Sequence, residues 1–171
     1  MPTIISGDTG IDKIAAGAIE YADLPTGSVL QVVSNTAVTN SGTYFSTTSS
    51  SFVSTGFSVT ITPKFSTSKI LLLHNGIVEN ANDSIGAGFT IYRGGTNLAT
   101  GTSKSVLSAI RTVGGYTDTN LFMQFLDSPA TTSATTYTVY MYTESATSYY
   151  GLNAGGAGSN VLTFTAMEIA A

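Results

Sequence analysis

From Ser28 onward the chain is a succession of short stretches in which apolar and hydroxyl residues alternate, each closed by turn residues. This rhythm limits the fold more than any other feature, because side chains one residue apart on a strand face opposite ways. The stretches are 28–38 (SVLQVVSNTAV), 57–62 (FSVTIT), 69–78 (KILLLHNGIV) and 88–93 (GFTIYR), then 105–113 (SVLSAIRTV), 119–127 (TNLFMQFLD), 136–144 (TYTVYMYTE) and 160–169 (NVLTFTAMEI). In the seventh, Tyr137, Val139 and Met141 share one face. Turns are expected at Arg93-Gly94-Gly95-Thr96, at Val113-Gly114-Gly115-Tyr116 and at Asp127-Ser128-Pro129. Strands at this spacing, with no helical period between them, predict an all-β antiparallel sandwich or barrel over residues 28–171.

Composition narrows what such a body does. Charged residues are 9% of the chain, against about 25% in an average soluble domain. Ser and Thr fill 49 of the 171 positions (21 Ser and 28 Thr), so hydroxyls stand in for charge on the surface. The six Lys and Arg are scattered and the net charge is −4, which excludes the clustered cations that nucleic acid requires. There is no cysteine, hence no disulfide framework and no thiol chemistry. The longest aliphatic run, Ile70-Leu71-Leu72-Leu73, is far short of a membrane span, so no membrane insertion is expected. The start, MPTIISGDTG, lacks the basic end and apolar core of an export signal.

Residues 1–27 differ from the rest. Ile11, Ile14, Ala15, Ala18 and Ile19 follow the spacing of an amphipathic helix that Asp8 or Thr9 would cap and Pro25-Thr26-Gly27 would close. About three turns carrying Gly17 are marginal alone in water. The segment is therefore expected to be an N-terminal arm or short helix that packs on something else, with Ile11, Ile14 and Ile19 as its anchoring face.

Two strands read as apolar on both faces: Ile70–Leu73 and Leu121–Leu126. A two-layer sandwich buries one face of each sheet, so the surplus predicts a subunit interface, with Leu71, Leu73, Phe122 and Phe125 as its candidates. Two polar segments, 39–51, a loop or twisted hairpin, and 149–160, a loop, carry Tyr44, Phe45, Tyr149 and Tyr150. Exposed aromatic rings stack on sugars and anchor protein contacts, so these four are candidate receptor contacts, for a host-surface glycan or protein.

No catalytic arrangement emerges. His74, the single histidine, lies in a Leu-rich strand and reads as a core or interface residue. The acids are dispersed, and no G-x-S-x-G elbow is present. Glu79-Asn80-Ala81-Asn82-Asp83 offers oxygen ligands but not the spacing of a calcium loop, and it reads as a polar turn. Gly94-Gly95 precedes no helix and reads as a hairpin turn rather than a phosphate cradle. No enzyme activity, metal or other cofactor is expected.

Four segments, in order, resemble small tail-fibre and virion decoration proteins of marine and cyanobacterial phages. They are the opening Pro25-Thr26-Gly27-Ser28-Val29-Leu30-Gln31-Val32-Val33, the hairpin Phe89–Leu98, the turn Leu126–Pro129 leading into Tyr137-Thr138-Val139, and the closing strand Leu162–Ile169. The resemblance implies a jelly-roll of the tumour-necrosis-factor or complement-head type, assembled as a homotrimer with apolar strands toward the three-fold axis. It also implies an N-terminal segment docked on other virion proteins of the capsid or tail. With some 27 residues before the β-body, the expectation is a short fibre or spike head or a capsid decoration protein on the virion surface, made in the host cytoplasm. The alternative is a free carbohydrate-binding module or lectin.

Overall fold

The computed structural model describes residues 20–40, 44–80, 86–111, 117–152 and 160–171. The N-terminal helix expected around Ile11, Ile14 and Ile19, and the turn at 113–116, lie outside the described residues. A 3-10 turn, Tyr21–Asp23, leads into eleven strands: β1 (Val29–Thr39), β2 (Phe45–Thr47), β3 (Val53–Ile61), β4 (Lys69–Asn80), β5 (Gly86–Arg93) and β6 (Thr96–Asn97), then, after a second 3-10 turn at Ser103–Ser105, β7 (Ser108–Arg111), β8 (Thr117–Asp127), β9 (Thr135–Thr143), β10 (Ser148–Tyr150) and β11 (Asn160–Ile169).

Every pairing is antiparallel, and the strands form two sheets. The first runs β1-β11-β4-β8, with the short β10 and β2 continuing beside the far end of β4. The second runs β3-β9-β5, with β7 and the short β6 both on β5. The chain crosses repeatedly between the sheets, so that its first and last long strands lie side by side. That is the jelly-roll form of the sandwich, and it agrees with the fold expected.

Alternation decides which side chains meet between the sheets. Ile70, Leu72 and Val78 of β4, Phe89 and Ile91 of β5, Leu121 and Met123 of β8, Tyr137, Val139 and Met141 of β9, and Phe164 and Ala166 of β11 are all essentially fully buried. The expected shared face of Tyr137, Val139 and Met141 is the inward one. Gly94, with φ +54, takes the first central position of the two-residue turn between Arg93 and Thr96, where an L side chain would be strained.

β5 is buried on both faces over Gly86–Ile91, and the segment after β6 runs back along its edge as a flap. The Leu98 and Leu107 amides donate to the Ile91 and Phe89 carbonyls at 3.0 and 2.9 Å. Asn97 fastens the flap. Its Oδ1 accepts from Thr90 Oγ1 at 2.7 Å and from the Ala99 amide at 2.9 Å, and its Nδ2 donates to the Ser105 carbonyl at 2.9 Å.

The sheets are also tied at one end by a buried polar cluster. Arg93 Nη1 donates to both Asp127 oxygens at 2.8 Å, and the Tyr137 hydroxyl donates to Asp127 Oδ2 at 2.7 Å. Asp127 closes β8 in one sheet, whereas Arg93 and Tyr137 belong to the other. Burial, then the bond to Asp127, holds the Tyr137 hydroxyl well above the ordinary phenol range, so it stays a donor. Tyr137→Phe is expected to cost about 1.5–3 kcal/mol, since it strips a bond from a buried carboxylate. Tyr140→Phe, on the outward face of the same strand, should stay within about 0.5 kcal/mol. Urea unfolding of the two variants against wild type measures both.

Candidate functional site

The outer face of the first sheet is where sequence and structure converge. Register puts Val32 opposite Met167, Met167 opposite Leu71, and Leu71 opposite Leu126. The four side chains form an unbroken apolar row across four strands. The next rows are Ser34-Thr165-Leu73-Gln124 and Thr36-Thr163-Asn75-Phe122, and beyond them Val38 pairs with Val161. No charged residue falls in any of these rows; Lys69 lies at one end of the face, and Glu79 and Asp118 at the other.

Of the eight exposed large hydrophobic residues among those described, six lie on this face: Val29, Val32, Val38, Phe122, Leu126 and Val161. Val32, Phe122 and Leu126 are 54%, 58% and 51% exposed. A neutral, partly apolar plane without central charge has the composition of an interface core. Leu71, Leu73 and Phe122 belong to it as their parity requires. Phe125 does not: it pairs with Leu72 on the inward side and packs against the core, because residues 122 and 125 have opposite parity. Val32 and Met167 went unnoticed in the sequence, since cross-strand register alone joins them to Leu71, and Leu126 was noticed only as part of the apolar run 121–126.

The four aromatics proposed as receptor contacts separate into two pairs. β10 pairs with β2 on one side and with β4 on the other, so the residues read as a loop mouth are strand residues. Tyr150 is 2% exposed and belongs to the core, which rules it out as a surface contact. Phe45, its direct partner, is half-buried against the same core. Both line a cavity of about 210 Å³ with Ala37, Thr55, Phe57 and Leu162. Tyr44 and Tyr149 remain nearer the surface, their rings edge to face at 5.4 Å.

His74 is buried between Phe57, Tyr150 and Phe164. Its Nδ1 lies 2.9 Å from the Thr163 carbonyl oxygen, and a carbonyl can only accept, so Nδ1 carries the proton. Nε2 is then the acceptor for the Tyr150 hydroxyl at 3.2 Å. Burial pushes the imidazole down to about 4, against the smaller opposing effect of the Thr163 carbonyl. The arrangement is that of a core histidine, as its Leu-rich setting suggested.

Glu79 ends the acidic side of the outer face. Burial, reinforced by Asp118 directly across the ladder, raises its carboxyl above the usual range. Residues 81–85 of the oxygen-rich turn lie outside the described residues. Among the described residues no three metal-ligating side chains converge, and no helix is long and apolar enough to cross a membrane.

The site and fold define a jelly-roll sandwich with one uncharged, apolar-banded outer face. No family model and no curated protein matches the chain. Among solved structures it is similar to infectious bursal disease virus, Gt strain, at 15% identity over 80% of this chain and 38% of that one, with a TM-score of 0.45. It is also similar to the VP2 subviral particle of the same virus, at 14% identity over 84% of this chain and 34% of that one, with a TM-score of 0.46. This chain thus spans little more than a third of the length of either.

The histidine makes stability pH-dependent. An unfolded imidazole near 6.5 binds protons that the folded one, at about 4, refuses. Stability is therefore full above pH 6.5 and falls as the pH drops toward 4, by up to about 3 kcal/mol. Glu79, with its raised carboxyl, works in the opposite direction in the acid range. Subtracting the urea-unfolding profile of His74→Gln from that of wild type isolates the histidine, and the difference should shrink steadily between pH 6.5 and 4.

Proposed function

We propose that this chain is a non-enzymatic structural protein of a virus particle. Its jelly-roll associates through the outer face of the β1-β11-β4-β8 sheet into a homotrimer displayed on the particle surface. The observation that carries this reading is the row Val32-Met167-Leu71-Leu126, continued by Phe122 and by the Val38–Val161 pair. Burying a large apolar side chain contributes about 1.5–3 kcal/mol, so a few such residues meeting their copies outweigh the cost of association. The order of segments resembling phage virion proteins supports the particle setting. In this reading the N-terminal segment, through Ile11, Ile14 and Ile19, docks on other capsid or tail proteins, so that the body is carried as a short fibre or spike head or a decoration.

The purified chain is expected to have the native mass of a trimer by light scattering. Leu71→Glu, which sets a charge in the middle of the row, should give monomers with unchanged far-ultraviolet circular dichroism. Thr60→Glu, on the opposite sheet, should leave the mass as it is. A monomeric wild type would sink the interface. Removing residues 1–19 should preserve the trimer and abolish its incorporation into particles.

A further inference from the structure

The outer face of the second sheet carries a feature that assembly through the first does not use. Tyr140 and Tyr142 project outward from β9, Tyr92 from β5, and Phe52 stands just before β3; all four are half-buried rather than sealed in the core. Tyr92 and Tyr140 are stacked with centroids 4.0 Å apart and planes 22° from parallel. Phe52 meets Tyr142 edge to face at 5.0 Å and Tyr92 at 6.1 Å. With Ser50, Ser51 and Lys104, three of these rings line an open cleft of about 550 Å³.

The backbone is adapted to this cluster. Gly88 lies beneath Tyr142, and a Cβ there would come within 2.2 Å of its ring and 2.6 Å of Val106, so only glycine lets the ring rest on the strand. At the other wall, Lys104 and Ser105 both hold left-handed φ values, +58° and +54°, which non-glycine residues seldom adopt. This turn brings the Lys104 ammonium onto Glu144, whose other oxygen accepts from Arg111 Nη2 at 2.6 Å. Among the described residues two cations share the Glu144 carboxylate, on an otherwise acidic chain.

We propose that this cleft binds a saccharide, and a carboxylated one in preference to a neutral one. A pyranose presents a face of C–H groups to the negative faces of aromatic rings and a rim of hydroxyls to polar side chains. The cleft offers both. Among the described residues no hydrogen bond occupies the hydroxyls of Tyr92, Tyr140 or Tyr142, and Ser50 and Ser51 add to the rim. An aliphatic side chain of a protein partner would need an apolar socket, whereas this cleft is wide, hydroxylated and flanked by charge. Lys104, the cation on the cleft wall, supplies the preference for a carboxylate.

The test is binding of the full chain to a printed panel of neutral oligosaccharides, uronate oligosaccharides and sialosides. Capture by carboxylated members is expected, weakened at high salt. Phe52→Ala and Tyr142→Ala should each reduce affinity about tenfold. Tyr142→Phe, which keeps the ring, should stay within about threefold, and Lys104→Gln should remove the preference for acidic members. Melting temperatures separate lost binding from lost folding. Capture of nothing, capture of neutral members alone, or undiminished capture by a folded Phe52→Ala variant would each overturn the assignment. Because the cleft faces away from the proposed interface, Leu71→Glu monomers should bind as well as wild type, so failure of either reading leaves the other standing.

Discussion

The first sheet depends on β4. One edge of this strand pairs with β8 from Lys69's neighbour Ile70 to Asn80, while the other edge is shared, first by β11 up to Asn75 and then by β10 from Val78. At the handover, between the two partners, stand Gly76 and Ile77. A Cβ on Gly76 would come within 2.9 Å of the Leu162 side-chain end, so glycine there lets Leu162 of β11 pack closely. Ile77 keeps its carbonyl bonded by the amide of Gly151, at 2.8 Å, just past β10. Gly151 holds φ +86, and its own carbonyl accepts from Thr39 Oγ1 at 2.6 Å at the end of β1. The ladder thus passes from one partner strand to the next with its polar groups engaged, as a buried backbone must.

Polar groups inside the sandwich follow the same economy. Asp127 is matched by Arg93 and Tyr137 across the sheets. Glu168, fully buried on β11, takes the Gln31 amide at 2.5 Å and the backbone amides of Lys64 and Phe65 at 2.7 and 3.3 Å. Burial would raise the Glu168 carboxyl, but the Gln31 and backbone donors outweigh it and hold it below the ordinary range. These contacts join β1, the segment after β3 and β11 at one end of the fold, while Asp127 joins both sheets. Charge is scarce in this chain, and two of its buried acids serve as ties between elements rather than as chemistry.

Period-two alternation made the eight long strands legible, because burial on one face leaves its mark in sequence at every second residue. It did not delimit β2, β6 and β10, which have two or three residues each and too few repeats to register, although turn residues signalled a hairpin at 93–96 and allowed one over 39–51. That gap is why Tyr149 and Tyr150 read as a loop. Tyr150 is buried by partners 72 and 105 residues away in sequence, Val78 and Phe45. Phe125 shows a different limit: an apolar run signals two buried faces without saying which residue belongs to which, and parity from Phe122 was the information to use. The aromatic cleft was illegible for a further reason. Phe52, Tyr92 and Tyr142 come from three separate segments, and only the pairing of β9 with β3 and β5 gathers them.

The two outer faces differ in kind, and this follows from what covers each. The first sheet has an uncharged outer face whose apolar residues lie in line across four strands, a pattern that a second surface of the same type can match. The second sheet carries the Leu98–Leu107 flap along the edge of β5, and its outer side has relief, with rings and hydroxyls around a hollow. A plane favours a large macromolecular contact, while a hollow lined by rings favours a small ligand with an apolar face. Each sheet of a jelly-roll needs only its inner side for stability. The two sides left over face opposite ways, so a body held by one of them would present the other outward.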